Sequence, residues 1–122
     1  MVKTLIVEDN RFYRKQFRES LEGRFPSMFI EEAEEGNEAL RKVEEFLPEV
    51  IFMDINLPGE NGLILAQKIK RRHPEMTIAI LTSHNLPEYR ETALKMGADC
   101  FMTKDTLDLN EVESCLVSCG KA

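Results

Sequence analysis

The feature that most constrains the fold is an alternation of short β-rich apolar runs with segments of helical periodicity. Five runs are predicted strands: Lys3 to Val7, Met28 to Glu32, Val50 to Met53, Thr77 to Leu81 and Asp99 to Met102. The segments between them space apolar residues three or four apart, which is typical of amphipathic helices. This alternation predicts repeated βα units around a parallel sheet. The third and fourth runs are continuously apolar, so we expect them at the centre of the sheet.

Helix-stopping residues set the limits of the predicted helices. These helices cover Arg11 to Glu22, Asn37 to Leu47, Gly62 to Arg72, Pro87 to Met96 and Thr106 to Ser118. The first four are followed by Gly23, Pro48, Pro74 and Gly97 respectively. Asp105 is expected to cap the fifth helix, with Asp108 in its first turn. Because a chain of 122 residues is too short for two ordinary domains, we expect one domain over residues 1–122.

Composition narrows the function classes. A net charge of -6 argues against direct binding of nucleic acid. No apolar run approaches the ~20 residues that cross a bilayer, and the first ten residues lack a signal-peptide pattern. We therefore expect a cytoplasmic protein without a membrane partner.

The three cysteines, Cys100, Cys115 and Cys119, are odd in number and have no CxxC spacing. This pattern suits free thiols in a reducing compartment better than a disulfide framework. Cys115 and Cys119 lie four apart, but two thiols are too few for a zinc site. Structural packing is the expected role of all three.

The chemically reactive residues follow the predicted strands. Glu8 and Asp9 follow the first, Asp54 the third and Thr82 the fourth, and Lys104 stands two residues beyond the fifth. In an open α/β sheet, ligands bind outside the carboxyl ends of the strands, so these side chains should converge. Clustered carboxylates need a partner to offset their repulsion, and they suit Mg2+. The sequence therefore predicts a magnesium site at this edge.

Four motifs stand in order, each after a predicted strand: VED near the start, MDINLPGENG in the middle, LTSH after the fourth strand and FMTKD after the fifth. Over almost the whole chain this set resembles the receiver domain of two-component response regulators. The resemblance implies a doubly wound, flavodoxin-like α/β fold. Its five-stranded parallel sheet has the order 2-1-3-4-5, with five helices on both faces.

The resemblance also implies a phosphorelay role for the motif residues. Asp54 would be the phosphoacceptor, taking a phosphoryl group from a histidine kinase or a histidine phosphotransfer protein. Asp9, Asp54 and the backbone carbonyl of Asn56 would ligate Mg2+, with Glu8 acting through a water. Lys104 would neutralise charge on the phosphoryl oxygens, as phosphoryl transfer requires.

Two further residues would carry the signal. Thr82 would donate its hydroxyl to the phosphoryl group, and the rotamer of Phe101 would report it. The surface of the fourth helix, fifth strand and fifth helix would then change, where an output domain or a second copy in a homodimer could bind. For Phe101 taken alone, core packing is the more frequent role.

The lifetime of the acyl phosphate should depend on two side chains near the path of the attacking water, Asn56 and His84. Asn56 cannot accept a proton as a carboxylate would. The unperturbed pKa of histidine, ~6.5, lies near neutrality. We therefore expect slow self-dephosphorylation, with a rate that depends on His84; an exposed His84 without effect is the alternative.

Other functions fit the motifs less well. Phosphatases with an aspartyl-phosphate intermediate carry a second Asp two residues after the nucleophile, where this chain has Asn56. The chain is therefore expected to be a signalling phosphoacceptor, not an enzyme. A receiver-like interaction module that works without phosphorylation is the remaining alternative. The intact set of Asp9, Asp54, Thr82 and Lys104 argues against it.

Two details of the sequence remain open at this stage. Arg11, Arg14, Lys15 and Arg18 form a basic stripe on the first helix, which is usually a solvated face. Docking of the phosphodonor is the functional alternative. Asp105 follows Lys104 where many receivers have proline, and a trans bond is the default for a non-proline residue.

Overall fold

The computed structural model describes residues 2–83 and 86–121, built around a five-stranded parallel sheet. Its strands are β1 (Lys3–Val7), β2 (Phe29–Ala33), β3 (Val50–Asp54), β6 (Thr77–Thr82) and β7 (Cys100–Thr103); a small antiparallel hairpin adds β4 (Asn56–Leu57) and β5 (Glu60–Asn61). The sheet order is β2-β1-β3-β6-β7. Counted over the five sheet strands, this is the predicted order 2-1-3-4-5, whereas the hairpin was not predicted.

Five helices connect the strands. They are α1 (Arg11–Arg24), α2 (Gly36–Phe46), α3 (Gly62–Arg72), α4 (Pro87–Lys95) and α5 (Leu109–Ser118). The limits of α3 agree with the prediction. No helix within the described residues is long and apolar enough to cross a membrane.

Four of the five predicted helices have wrong limits: α2 and α4 differ from the prediction by one residue at one or both ends, and the larger errors are at the end of α1 and the start of α5. Gly23 does not stop α1, which continues to Arg24, and Phe25 closes it by donating its N–H to Leu21. The fifth helix begins at Leu109 because Asp108, not Asp105, is its cap: Asp108 Oδ1 accepts the N–H of Glu111 at 2.8 Å. Both acids offered the same capping signal; Asp108 has the extended backbone of a cap, whereas Asp105 lies in a turn before the helix.

The helices cover both faces of the sheet, as the family resemblance implied. Along β3, Ile51 and Met53 pack on the face covered by α2, α3 and α4, whereas Val50 and Phe52 pack on the face covered by α1 and α5. Every residue of β3 and β6 is buried. Their continuous apolar runs therefore identify the central strands correctly.

The register of the strands brings their carboxyl ends to one edge. Val7 pairs with Met53, Asp54 with Leu81, and Thr82 with Thr103. The residues that follow each strand are consequently neighbours in space, although they lie tens of residues apart in sequence.

The prediction of three free thiols is wrong for two of them. Cys100 and Cys115 form a disulfide, while Cys119 is a free thiol. Cys100 begins β7, and Cys115 lies on the buried side of α5, which packs across the same face of the sheet. This proximity arises from tertiary packing, so the spacing of the cysteines gave no sign of it.

Candidate functional site

Three carboxylates gather at the carboxyl edge of the sheet. Glu8 and Asp9 follow β1, and Asp54 ends β3; one carboxylate oxygen of each lies within 4.8 Å of the others. Glu8 is 2% exposed and Asp54 is 6% exposed, whereas Asp9 is exposed. We call these three residues the carboxylate pocket.

Lys104 is the basic group inside this pocket. Its Nζ lies 2.5 Å from Glu8 Oε1 and 3.1 Å from Asp54 Oδ2. Its backbone N–H donates to Thr82 O at 2.8 Å, which continues the pairing of β6 and β7 beyond the strand end. The Nζ also lies 4.6 Å from the centre of the Tyr13 ring, a favourable cation–π contact. A single ammonium is therefore shared by two buried carboxylates.

The electrostatics of the pocket favour a further positive charge. Burial raises the pKa of Glu8, the contact with Lys104 opposes this, and the charge of Asp54 adds to the rise. For Lys104, burial opposes the charged form, but Glu8 and Asp54 outweigh it and raise its pKa. Burial, with the charges of Glu8 and Asp54, raises the pKa of Tyr13 to about 12, so its phenol is neutral. Two of the three carboxylates share one ammonium, so negative charge is in excess.

The donor set of the pocket fits a hard divalent cation. Glu8 Oε1 is buried and lies 2.5 Å from Lys104 Nζ, the distance of a charge-assisted contact. Glu8 Oε2 accepts the N–H of Asn10 at 3.0 Å. The predicted carbonyl ligand, Asn56, adjoins Asp54, since its N–H donates a long 3.4 Å bond to Asp54 Oδ1. Carboxylate and carbonyl oxygens are the ligands that Mg2+ takes in proteins.

The segment after Asp54 is folded tightly beneath it. The β4–β5 hairpin turns at Gly59, whose φ of 76° favours glycine. Gly62 N–H then donates to Ile55 O at 2.7 Å. A Cβ on Gly62 would lie 2.0 Å from Asp54 O, so only glycine fits there. Asn61 Oδ1 accepts the N–H of Leu63 at 2.7 Å and caps α3.

Arg14 supports the other side of the pocket, a role that the sequence did not suggest. It is buried, and its Nη1 donates to Glu8 O at 2.6 Å. Its Nε and Nη2 contact Glu32 at 2.6 Å and Glu34 at 3.0 Å. This contact network fixes the backbone carbonyl of Glu8 beside the pocket.

The basic stripe on α1 is therefore not one solvated face. Arg14 is buried, and Arg18 contacts Glu32 at 2.6 Å, whereas Arg11 and Lys15 are exposed. The acidic run EEAEE at the end of the second strand was the available signal. Strands β1 and β2 end at the same edge, so the acids at the end of β2 lie close enough to the pocket to pair with Arg14 and Arg18 of α1.

The two predicted signal-carrying residues lie in β6 and β7. Thr82 is fully buried at the end of β6. Phe101 is 4% exposed and packs in the core beside α4, where the guanidinium of Arg90 lies 5.2 Å from its ring centre. In this conformation Phe101 is a core residue, and its change of rotamer stays a prediction. The bond from Lys104 to Asp105 is trans. His84 lies outside the described residues.

Comparison with known proteins identifies the family. The family model for the response regulator receiver domain matches residues 4–115. The chain belongs to this family. The receiver is 35% identical over 108 residues to the oxygen regulatory protein NreC of Staphylococcus haemolyticus, covering 88% of this chain and 50% of that protein. It is 31% identical over 104 residues to the response regulator GacA of Pseudomonas syringae, covering 85% of this chain and 49% of that protein.

Solved structures agree with this assignment. A two-component response regulator of the LuxR family from Aurantimonas superposes with a TM-score of 0.88 at 26% identity, covering 98% of this chain and 86% of that one. The receiver spans about half the length of the two curated relatives. The family and the fold predicted from the four motifs are confirmed, and the receiver is a signalling domain of two-component systems.

We predict that Gly62→Ala destabilises the receiver by at least ~2 kcal/mol, because the new methyl group would overlap the carbonyl of Asp54. Gly23→Ala is the matched control, since a Cβ there meets nothing within 4 Å and alanine favours a helix. Urea unfolding measures both. Equal stabilities of Gly62→Ala and wild type would show that the segment beneath Asp54 is not tightly fixed.

Proposed function

We propose that this receiver accepts a phosphoryl group on Asp54 from the phosphohistidine of a histidine kinase or a histidine phosphotransfer protein in the cytoplasm. The observation that carries the proposal is the ammonium of Lys104, shared between the buried carboxylates of Glu8 and Asp54. A buried Asp at a strand end can be a simple structural cap. Here Asp54 shares a buried cation with a second acid and lies beside an exposed third acid. This arrangement favours a further cation, which a structural cap does not need.

The proposed transfer is a direct displacement. A carboxylate oxygen of Asp54 attacks the phosphorus, the bond from the histidine nitrogen to phosphorus breaks, and an acyl phosphate forms on Asp54. The histidine nitrogen keeps the electron pair of the broken bond. Lys104, 3.1 Å from Asp54 Oδ2, stabilises the negative charge brought by the phosphoryl oxygens.

The carboxylate pocket would hold Mg2+ through Asp9, Asp54 and the carbonyl of Asn56, with Glu8 acting through a water. Bound there, Mg2+ supplies neutralisation of the phosphoryl oxygens. Asn56 offers no acid or base, so the acyl phosphate is hydrolysed slowly and persists as a signal.

The signal leaves through the switch surface, which we define as α4, β7 and α5. Thr82, at the end of β6, turns its hydroxyl toward the phosphoryl group. The ring of Phe101 then changes rotamer beside α4, which breaks the contact between the Arg90 guanidinium and this ring. A local charge thereby biases an element with two arrangements. We propose an output domain or a second copy of the receiver as the partner of this surface.

We predict that wild type gains one phosphate from acetyl phosphate only with Mg2+, and that Asp54→Asn gains none, because an amide cannot replace the carboxylate nucleophile. Asp105→Asn, an exposed acid beside Lys104, should react like wild type. Intact-mass spectrometry detects the adduct, which should persist after the donor is removed. The same adduct on Asp54→Asn would disprove the assignment. It would leave the receiver as a module that works without phosphorylation of this residue.

We also predict that beryllofluoride with Mg2+ shifts the amide resonances of the switch surface as well as those of the pocket. The physical reason is that Thr82 and Phe101 join the two regions through β6 and β7. Amide NMR of wild type tests this, with Asp54→Asn as the control that should not respond. Shifts confined to the pocket, with residues 86–109 unmoved, would contradict the proposed output.

A further inference from the structure

Three sulfur atoms cluster on the switch surface, away from the carboxylate pocket. The Sγ atoms of Cys100, Cys115 and Cys119 all lie within 4.8 Å of one another. Cys100 and Cys115 are joined as a disulfide, and Cys119 is a free thiol. Cys115 is 7% exposed, whereas Cys100 and Cys119 are half-buried. A thiol thus stands beside a disulfide with which it can react.

The disulfide joins two elements of the switch surface. Cys100 is the first residue of β7 and directly precedes Phe101. Cys115 lies in α5, and Cys119 follows at the end of that helix, where its N–H donates to Cys115 O at 3.2 Å. The bond therefore ties α5 covalently to the strand that carries Phe101.

We propose that these cysteines form a thiol–disulfide exchange site in which Cys100 has two alternative partners, Cys115 and Cys119. The thiolate of Cys119 attacks Cys100 Sγ and forms a new sulfur–sulfur bond. The bond to Cys115 breaks, and Cys115 leaves as a thiolate that takes up the proton lost by Cys119. This exchange requires no oxidant or reductant. A dithiol reductant reduces the disulfide to two thiols by giving two electrons and two protons, which leaves all three cysteines as thiols.

Helix geometry explains why Cys100 is the shared partner. Residues four apart on a helix have Cβ atoms about 5–6 Å apart. A disulfide requires a Cβ separation of roughly 3.5–4.5 Å. Cys115 and Cys119 are four apart, and the backbone bond between them keeps this spacing helical. A direct bond between them is therefore strained, whereas Cys100 approaches both from the neighbouring strand.

A metal site is the competing use of three thiols. A structural zinc site takes four protein ligands. The described residues supply no histidine or carboxylate to the cysteine cluster, and two of its sulfurs are already bonded to each other. These observations favour exchange over metal binding.

The exchange site links the redox state of the receiver to the mobility of its switch surface. In the oxidised form, with the disulfide intact, α5 and β7 move together. In the reduced form, α5 is held by packing and by the contacts of Arg24 with Asn110 and Glu113, without a covalent bond to β7. The effect on signalling rests on the proposed function, whereas the exchange chemistry does not.

The test maps disulfides by mass spectrometry after alkylation of free thiols at low pH. Cys115→Ser, purified without reductant, should contain a bond between Cys100 and Cys119, and Cys119→Ser should keep the bond between Cys100 and Cys115. Cys100→Ser is the matched control, with both remaining thiols alkylated. Wild type, held in a mixed dithiol and disulfide buffer, should contain both bonds to Cys100.

Two results would overturn the proposal. The first is a pair of findings. Wild type contains only the bond between Cys100 and Cys115 at every time point, and Cys100 and Cys119 are both fully alkylated in Cys115→Ser. The other is reduced wild type that retains one equivalent of Zn2+ with all three thiols protected.

A second measurement separates this proposal from the proposed function. Amide hydrogen exchange in α5 should be at least tenfold faster in the reduced receiver than in the oxidised one, and equally so in Asp54→Asn, which cannot be phosphorylated. Equal exchange rates in both redox states would show that the disulfide does not restrain α5. Neither outcome depends on whether Asp54 accepts phosphate.

Discussion

The contact of one buried ammonium with two buried carboxylates is the interaction on which the rest of the site depends. Taking an ion out of water costs several kcal/mol, so Glu8 and Asp54 can be buried together only if a cation is shared between them. Lys104 supplies it, at 2.5 Å and 3.1 Å. Glu8 and Lys104 follow β1 and β7, and Asp54 ends β3, so the order of the sheet is what lets them meet. The pocket is nevertheless still short of positive charge, because Asp9 adds a third carboxylate.

The surroundings of the pocket hold this arrangement in place. Arg14 fixes the carbonyl of Glu8 from one side, and Gly62 allows the chain to pass against the carbonyl of Asp54 on the other. Within β7, Phe101 lies under Arg90 on one face of the sheet, and Cys100 is bonded to α5 on the other. The carboxylate pocket is thus separated from the proposed switch surface by the length of one short strand.

Sequence patterns predicted those features that depend on local chemistry. The limits of α3 followed from the spacing of its apolar residues and the proline beyond its end, and the buried strands followed from their continuous apolar runs. The cap of α5 was assigned to the wrong acid, because Asp105 and Asp108 carry the same signal in the sequence and only the structure shows that the helix begins after Asp108. Gly23 was taken as a stop, although a helix tolerates glycine at a modest cost. The disulfide and the burial of Arg14 depend on tertiary packing across elements, which spacing along one helix cannot show.

The most direct test of the account is the affinity for Mg2+, measured by calorimetry on wild type and on Lys104→Met, with Lys15→Met as a control on the exposed face of α1. The account holds that Lys104 and Mg2+ compete for the same carboxylates. Removal of the ammonium should therefore tighten Mg2+ binding about tenfold, equivalent to ~1.4 kcal/mol, while Lys15→Met binds like wild type. Absence of saturable Mg2+ binding in wild type, or equal affinities for wild type and Lys104→Met, would contradict the view that this pocket is built around a shared cation.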